Sequence, residues 1–293
     1  MANTTSTEYP SPAEQAVIAA AEALMEKTMK KYDPSHDAYH VNRVRRTALA
    51  LAKAQTPQPD LLVVELAALL HDVLDKKYVT PEEAADPNAY FRPFFESVKE
   101  KVDLLADGRA RLIVRIIENV SWTTEKKLRA ENKFEPWHES CVELHCKLRA
   151  ENKFEPWHES CVELHCVQDA DRLDAIGAFG IMRVSAYSAA VNRPLHTPSD
   201  DPQVSHTGIQ HFHDKLLHIK DRLKTPQGRE LGAQRHQLVS HTGIQHFHDK
   251  LLHIKDRLKT PQGQELGAQR HQFMLQFLDA VDKEYEVVIP TNA

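Results

Sequence analysis

The chain has 293 residues, 41% of them hydrophobic, enough to build a core for one large domain or two small ones. Its formal net charge of −5 gives no reason to expect nucleic acid or an anionic membrane as a partner. Met1 to Glu8 is polar and lacks an apolar signal core, and no run is long enough for a membrane span, so a cytoplasmic protein is expected.

Only 9 glycines are present, and apolar residues recur at three- and four-residue spacing, so the chain reads as all-α. Residues 1–10 are expected to be disordered. Ser11-Pro12-Ala13-Glu14 has the form of a capping box with proline at the first helical position, predicting a helix to about Tyr32. After Asp33-Pro34-Ser35, a second helix is predicted from about His36 to Gln55, with Val41, Val44, Ala48 and Leu51 on one face. Asp60 would cap a third, almost wholly apolar helix over 61–74. Thr80-Pro81-Glu82-Glu83 starts a short helix, and further helices are predicted at about 90–106 and 109–120. A long periodic stretch runs from Trp157 to Asn192. Asn192 to Pro202 is a linker, and 205–286 is helical with breaks at Thr225-Pro226 and Thr260-Pro261. The expected organisation is a bundle over 11–195 with a helical C-terminal extension over 203–286.

Two segments occur twice. Lys127 to Cys146 recurs residue for residue as Lys147 to Cys166, and Val204 to Gln237 recurs as Val239 to Gln272 with one change, Arg229 to Gln264. Solenoids carry three or more diverged units, so these pairs point to recent duplication, joined alternative exons or a faulty gene model. The copying imitates motifs. Cys141-x4-Cys146 and Cys161-x4-Cys166 resemble a zinc framework but read as two ordinary cysteines, each copied. The histidines at 206, 211, 213 and 218 spread around a helix and read as a solvated face. Trp157 to Cys166 runs unbroken into the Asp171 segment, so the second copy is expected to be the packed one there. For the C-terminal pair the sequence favours neither copy.

One buried carboxylate carries the chemistry. His71 and Asp72 close the apolar segment Leu61 to Asp75, and an unpaired buried carboxylate costs on the order of several kcal/mol. Buried charges are paired or bind metals. His40 on the preceding helix and Asp171 downstream complete a set of two imidazoles and two carboxylates on three helices, as a bundle supplies to a divalent cation. Mixed nitrogen and oxygen ligation suits Mn, Fe, Co, Ni or Zn better than Ca, with Mg still open.

The ordered set His40, His71-Asp72 and Asp171 resembles the HD superfamily of metal-dependent phosphohydrolases. The flanking words fit as well: His40-x-x-Arg43-Val44, Ala67 to Asp72, Ile117-Glu118-Asn119-Val120-Ser121, and Asp169 to Ala178. They look like its compact nucleotide-phosphohydrolase branch in bacteria and fungi, over most of about 30–286. The resemblance implies an all-α HD fold, one divalent ion held by His40, His71, Asp72 and Asp171, and hydrolysis of a phosphoester or phosphoanhydride, most simply in a nucleotide.

It also implies that Asp75, three residues after Asp72, activates water; the plainer reading is a surface acid near Lys76 and Lys77. Arg43, Lys77 and Arg183 are candidate phosphate contacts, each equally open to a structural role. Asp174, one turn beyond Asp171, would orient a ligand from behind, with Glu118 and Asn119 as candidate pocket residues. Asp169 is expected to be solvated, and His36-Asp37 to cap a helix. Two other functions stand beside hydrolysis: a regulatory module holding metal without turnover, and a di-iron oxygenase, which would need further histidines such as His145 or His165. An inactive duplicated product is a third outcome.

Overall fold

The capping box forms. The Ser11 hydroxyl accepts from the Glu14 N–H at 3.3 Å, and the Glu14 carboxylate accepts from the Ser11 N–H at 2.7 Å, opening α1 (Pro12–Met29). The computed structural model describes residues 9–75, 78–122, 124–125, 156–197, 201–236 and 261–285. α2 (Ala38–Lys53) starts at Asp37, whose carboxylate accepts from the His40 N–H at 2.8 Å. α3 (Leu61–Leu70) starts at Asp60, which accepts from Leu62 and Val63 at 3.0 and 3.1 Å. Each such cap contributes about 1 kcal/mol. They explain why these boundaries were legible.

Apart from Glu65, α3 is apolar all round, and it is buried from Leu62 to Leu70, the pattern of a helix enclosed by others. α1 and α2 pack on it, as do α6 (Arg109–Asn119) and α8 (Val162–Asp174). Val17 and Met25 of α1, Val44 and Leu51 of α2, Ile113 and Ile116 of α6, and Leu164 and Val167 of α8 share its core. Burying one such side chain contributes about 1.5–3 kcal/mol. Tertiary packing, more than helix propensity, therefore holds α3 in place. The remaining elements are α4 (Pro81–Ala85), α5 (Pro87–Val98), α7 (Trp157–Ser160), α9 (Gly177–Ala190), α10 (Gly208–Asp214), α11 (Pro226–His236) and α12 (Pro261–Tyr285), with 3-10 turns before and after α10. Among the described residues there is no strand, and no helix is long and apolar enough to cross a membrane.

Several expectations need correction. The third helix stops at Leu70 rather than 74. Val73 N–H bonds Leu70 O and Asp75 N–H bonds Asp72 O, both at 3.1 Å, so the chain tightens into a turn that carries His71 and Asp72. The stretch from Trp157 to Asn192 is broken twice, at Cys161 and before Gly177, which adopts φ +72°. A side chain at 177 would also collide with the Glu284 carboxylate, 2.1 Å from where its Cβ would stand. The helix expected over 90–106 is instead α5, ending at Val98. Tyr9 and Pro10, expected to be disordered, are ordered. Tyr9 donates to the Leu61 carbonyl at 3.2 Å and to Glu65, while residues 1–8 lie outside the described residues. Asp169 is not solvated but fully buried, accepting from Lys224 N–H, Thr225 N–H and the Thr225 hydroxyl at 2.9, 2.6 and 2.8 Å.

In the first duplicated pair, Cys161, Leu164 and Cys166 of the second copy are buried in the core, and Lys127 to Cys146 lies outside the described residues. Burial pushes the Cys161 thiol up to about 12, with Glu163 adding to the rise, so it is an inert core residue. In the C-terminal pair, the first copy sits on the bundle: Leu216, Ile219, Leu223 and Leu231 belong to the main core cluster. The second copy is described from Pro261, where Glu265, Ala268, Gln269 and Arg270 are exposed.

Candidate functional site

Three segments bring the predicted ligands together. His40 stands on the first turn of α2, His71-Asp72 on the turn that ends α3, and Asp171 on the last full turn of α8. α2 and α8 are in close contact with each other and with α3. His40 Nε2 lies 3.4 Å from Asp72 Oδ2 and 3.6 Å from Asp171 Oδ1. His71 Nε2 lies 3.4 Å from the same Asp72 oxygen and 3.9 Å from the same Asp171 oxygen. The two rings meet edge to face, their centroids 5.4 Å apart. Both imidazoles are buried, whereas the Asp72 and Asp171 side chains keep 16% and 25% exposure, so the cluster opens on the carboxylate side.

The tautomers follow from the other ring nitrogens. His71 Nδ1 is 2.8 Å from the Ala68 carbonyl, which only accepts, so Nδ1 carries the proton. His40 Nδ1 is 2.7 Å from Asp174 Oδ2 and is protonated for the same reason. In their neutral forms both rings then turn the Nε2 lone pair toward the carboxylate oxygens of Asp72 and Asp171. Lone pairs gathered in this way repel unless a positive charge lies among them, and Arg183 reaches only His40 Nε2, at 3.2 Å. His71 Nε2 and Asp72 Oδ2 are buried with no hydrogen-bond partner. His40, His71 and Asp72 each offer a ligand atom within 4.8 Å of the others. The donor set thus fits a divalent ion.

Opposing influences meet at His40. Burial and Arg183 favour the neutral ring. Asp174 and Asp72 oppose them and win, leaving the pKa above its ordinary value. For Asp72, burial alone would raise the carboxyl, but His71 and His40 hold it well below the usual range. Asp174 behaves likewise: burial is outweighed by its bonds to His40 and Arg43, and it stays ionised.

The other named residues divide. Asp174 stands behind His40, its Oδ2 2.7 Å from Nδ1. Arg43 takes the structural role that stood open beside a phosphate contact. Its Nε and a terminal nitrogen clasp Asp174 at 2.7 and 3.0 Å, and its guanidinium lies 4.1 Å from the centre of the Phe179 ring. Arg183 does reach the cluster, 3.2 Å from His40 Nε2. Asp75 is 4.0 Å from His36 Nε2. Lys77 lies outside the described residues. Glu118 is exposed on the last turn of α6. Asn119 ties helices together instead of facing the cluster: its side chain pairs with His158 at 3.0 Å and its carbonyl accepts from Gln168 of α8 at 2.7 Å. His165, a candidate extra ligand for a di-iron centre, pairs with the His158 carbonyl at 2.8 Å, and His145 lies outside the described residues.

Sequence reasoning missed the wall beside Asp75. Ser35 Oγ is 2.6 Å from His36 Nδ1, with Tyr78 Oη at 3.3 Å from the same nitrogen. Tyr78 also donates to Asp33 and stacks on Tyr32 at 4.0 Å. Tyr32 in turn donates to the Val73 carbonyl at 3.1 Å, pinning the ligand-bearing turn. The signal was present in His36, one turn before His40, but it is Asp37 that caps α2.

The HD domain family matches residues 37–176 of the chain. The uncharacterized protein YpgQ of Bacillus subtilis (strain 168) is 32% identical over 205 residues, 70% of this chain and 79% of that relative. The crystal structure of YpgQ in complex with ADP is similar with a TM-score of 0.50 at 24% identity, over 74% of this chain and 91% of that one. The Lin1889 protein from Listeria innocua gives a TM-score of 0.51 at 26% identity, over 84% and 99%.

Proposed function

The chain belongs to the HD-domain family, and on that premise we propose that it is a metal-dependent phosphohydrolase cleaving a phosphoester or phosphoanhydride bond of a nucleotide. One observation carries this reading: two imidazole nitrogens and two carboxylate oxygens converge, with His71 Nε2 and Asp72 Oδ2 buried and unbonded. His40, His71, Asp72 and Asp171 would hold a single ion, for which Mn, Co, Ni, Fe, Zn and Mg are the suitable classes. When bound, the ion polarises a phosphoryl oxygen and lowers the pKa of water from 15.7 toward about 7.

The chain's own residues supply the rest. Asp75 accepts the proton of the attacking water, a role that contributes about 10²–10⁴-fold. Asp174 keeps the His40 proton on Nδ1 so that Nε2 faces inward. Arg183 and Lys77 offset charge on the phosphoryl oxygens. Nucleotide as the substrate class draws support from the YpgQ relative, whose crystal structure holds ADP.

The test is phosphate and pyrophosphate release from a nucleotide panel with Mn, Co, Ni or Mg. Asp75→Asn is expected to lower kcat about 10²–10⁴-fold while leaving ion affinity within a few fold. Ion binding with no release across the panel would favour a regulatory module instead.

A further inference from the structure

Arg183 enters the site from α9 with three contacts. Its Nε donates to the Ser35 carbonyl at 2.7 Å, one terminal nitrogen faces Asp174 Oδ2 at 3.4 Å, and the other donates to His40 Nε2 at 3.2 Å. The third contact is unusual in kind. A guanidinium has donors only, so Nε2 must offer its lone pair, and that is the lone pair a divalent ion would take. Two cations cannot share it, and like charges a few ångströms apart in a poorly solvated cleft repel strongly. The arm's root is fixed independently by Ser35 and Asp174. Losing the His40 contact therefore frees one N–H without moving the guanidinium away.

Resting on the reading above, we propose that Arg183 gates the centre: it competes with the ion for His40 Nε2, and once displaced from that nitrogen it donates to a phosphoryl oxygen of the substrate. The competition makes ion and substrate cooperative. A phosphate group that engages Arg183 withdraws the competitor and tightens ion binding, and the ion tightens phosphate binding by the same factor, because linkage is reciprocal. The planar fork suits this change of partner, since one prong stays anchored while another is reassigned.

The experiment is calorimetric titration of Mn²⁺ into the full chain, into Arg183→Met, and into Asp72→Ala to locate the site, each with and without ADP. The wild type is expected to bind Mn²⁺ more tightly with ADP present. Arg183→Met is expected to bind Mn²⁺ alone about tenfold more tightly than the wild type, and to lose most of the ADP effect. Equal or weaker Mn²⁺ binding by a variant of unchanged Tm would overturn the gate. If methionine lowers Tm, Arg183→Gln, which retains a donor for the Ser35 carbonyl, repeats the comparison under the same criterion. The ion-only titration contains no substrate, so it decides the gate even for a chain that hydrolyses nothing. Absent hydrolysis with tightened Mn²⁺ binding defeats only the catalytic reading.

Discussion

Glu65 in the middle of α3 is buried and Asp72 on the turn that ends it is 16% exposed, and the surroundings of the two carboxylates differ completely. Glu65 accepts from Arg45 Nε at 2.7 Å and from Tyr9, and Arg45 continues to Glu22. Asp72 faces two imidazoles and leaves Oδ2 without a hydrogen bond. Folding has completed the first arrangement and left the second for something else to complete. Burial alone does not mark a functional acid; the balance of donors around it does.

The sharpest way to break this comparison is to remove each acid in turn. Glu65→Ala leaves Arg45 with Glu22 alone and removes an acceptor of Tyr9, and is expected to cost about 1–3 kcal/mol in chemical denaturation. Asp72→Ala loses only the interaction with His71 and His40 that keeps its carboxyl ionised. Without added ion it is expected to cost less stability than Glu65→Ala, while Mn²⁺ affinity falls on the order of 100-fold or more, since loss of even an outer-shell partner costs 10–100-fold. An Asp72→Ala protein more destabilised than Glu65→Ala and still ion-binding would erase the distinction.

A smaller effect is expected at Asp174, which belongs to both categories. Asp174→Asn loses the carboxylate that orients His40 and is expected to weaken ion binding about 10–100-fold. Its carboxyl pKa is depressed in the fold: burial would raise it, but His40 and Arg43 override that. The stability it contributes is therefore present above its unfolded pKa of about 3.9 and is lost as pH falls below that value. Wild-type unfolding free energy should decline steeply below about pH 4. The asparagine variant should decline less, retaining the part due to Asp72, which shifts the same way.

The smallest effect concerns Asp169, two residues before Asp171 but wholly structural. It accepts from Lys224 and Thr225 just ahead of α11. Asp169→Ala is expected to cost about 1–2 kcal/mol, in the range of a lost helix cap, with ion affinity unchanged by titration.

These neighbours show what the sequence made legible. Convergence of His40, His71, Asp72 and Asp171 was readable because each sits in a distinctive word on a helix with clear start signals, such as Asp37 and Asp60. Asp169 was misread because its partners, Lys224 and Thr225, lie more than fifty positions away, and helix periodicity does not report such contacts. Arg43 was ambiguous for a related reason. Spacing put it one turn from His40, but only the placement of Asp174 and Phe179 shows where its fork is spent. The end of α3 was missed because a tightened turn keeps the apolar pattern of the helix it terminates.

The two histidines owe their inward-facing nitrogens to unlike sources. His71 is set by the carbonyl of Ala68, part of the main chain that no codon change deletes; His40 is set by Asp174, a side chain. One half of the centre is therefore inherited with the path of the backbone, while the other is adjustable by a single substitution. Descendants of this chain can drift in how firmly they grip an ion through position 174, and the anchor at position 71 persists for as long as the turn itself does.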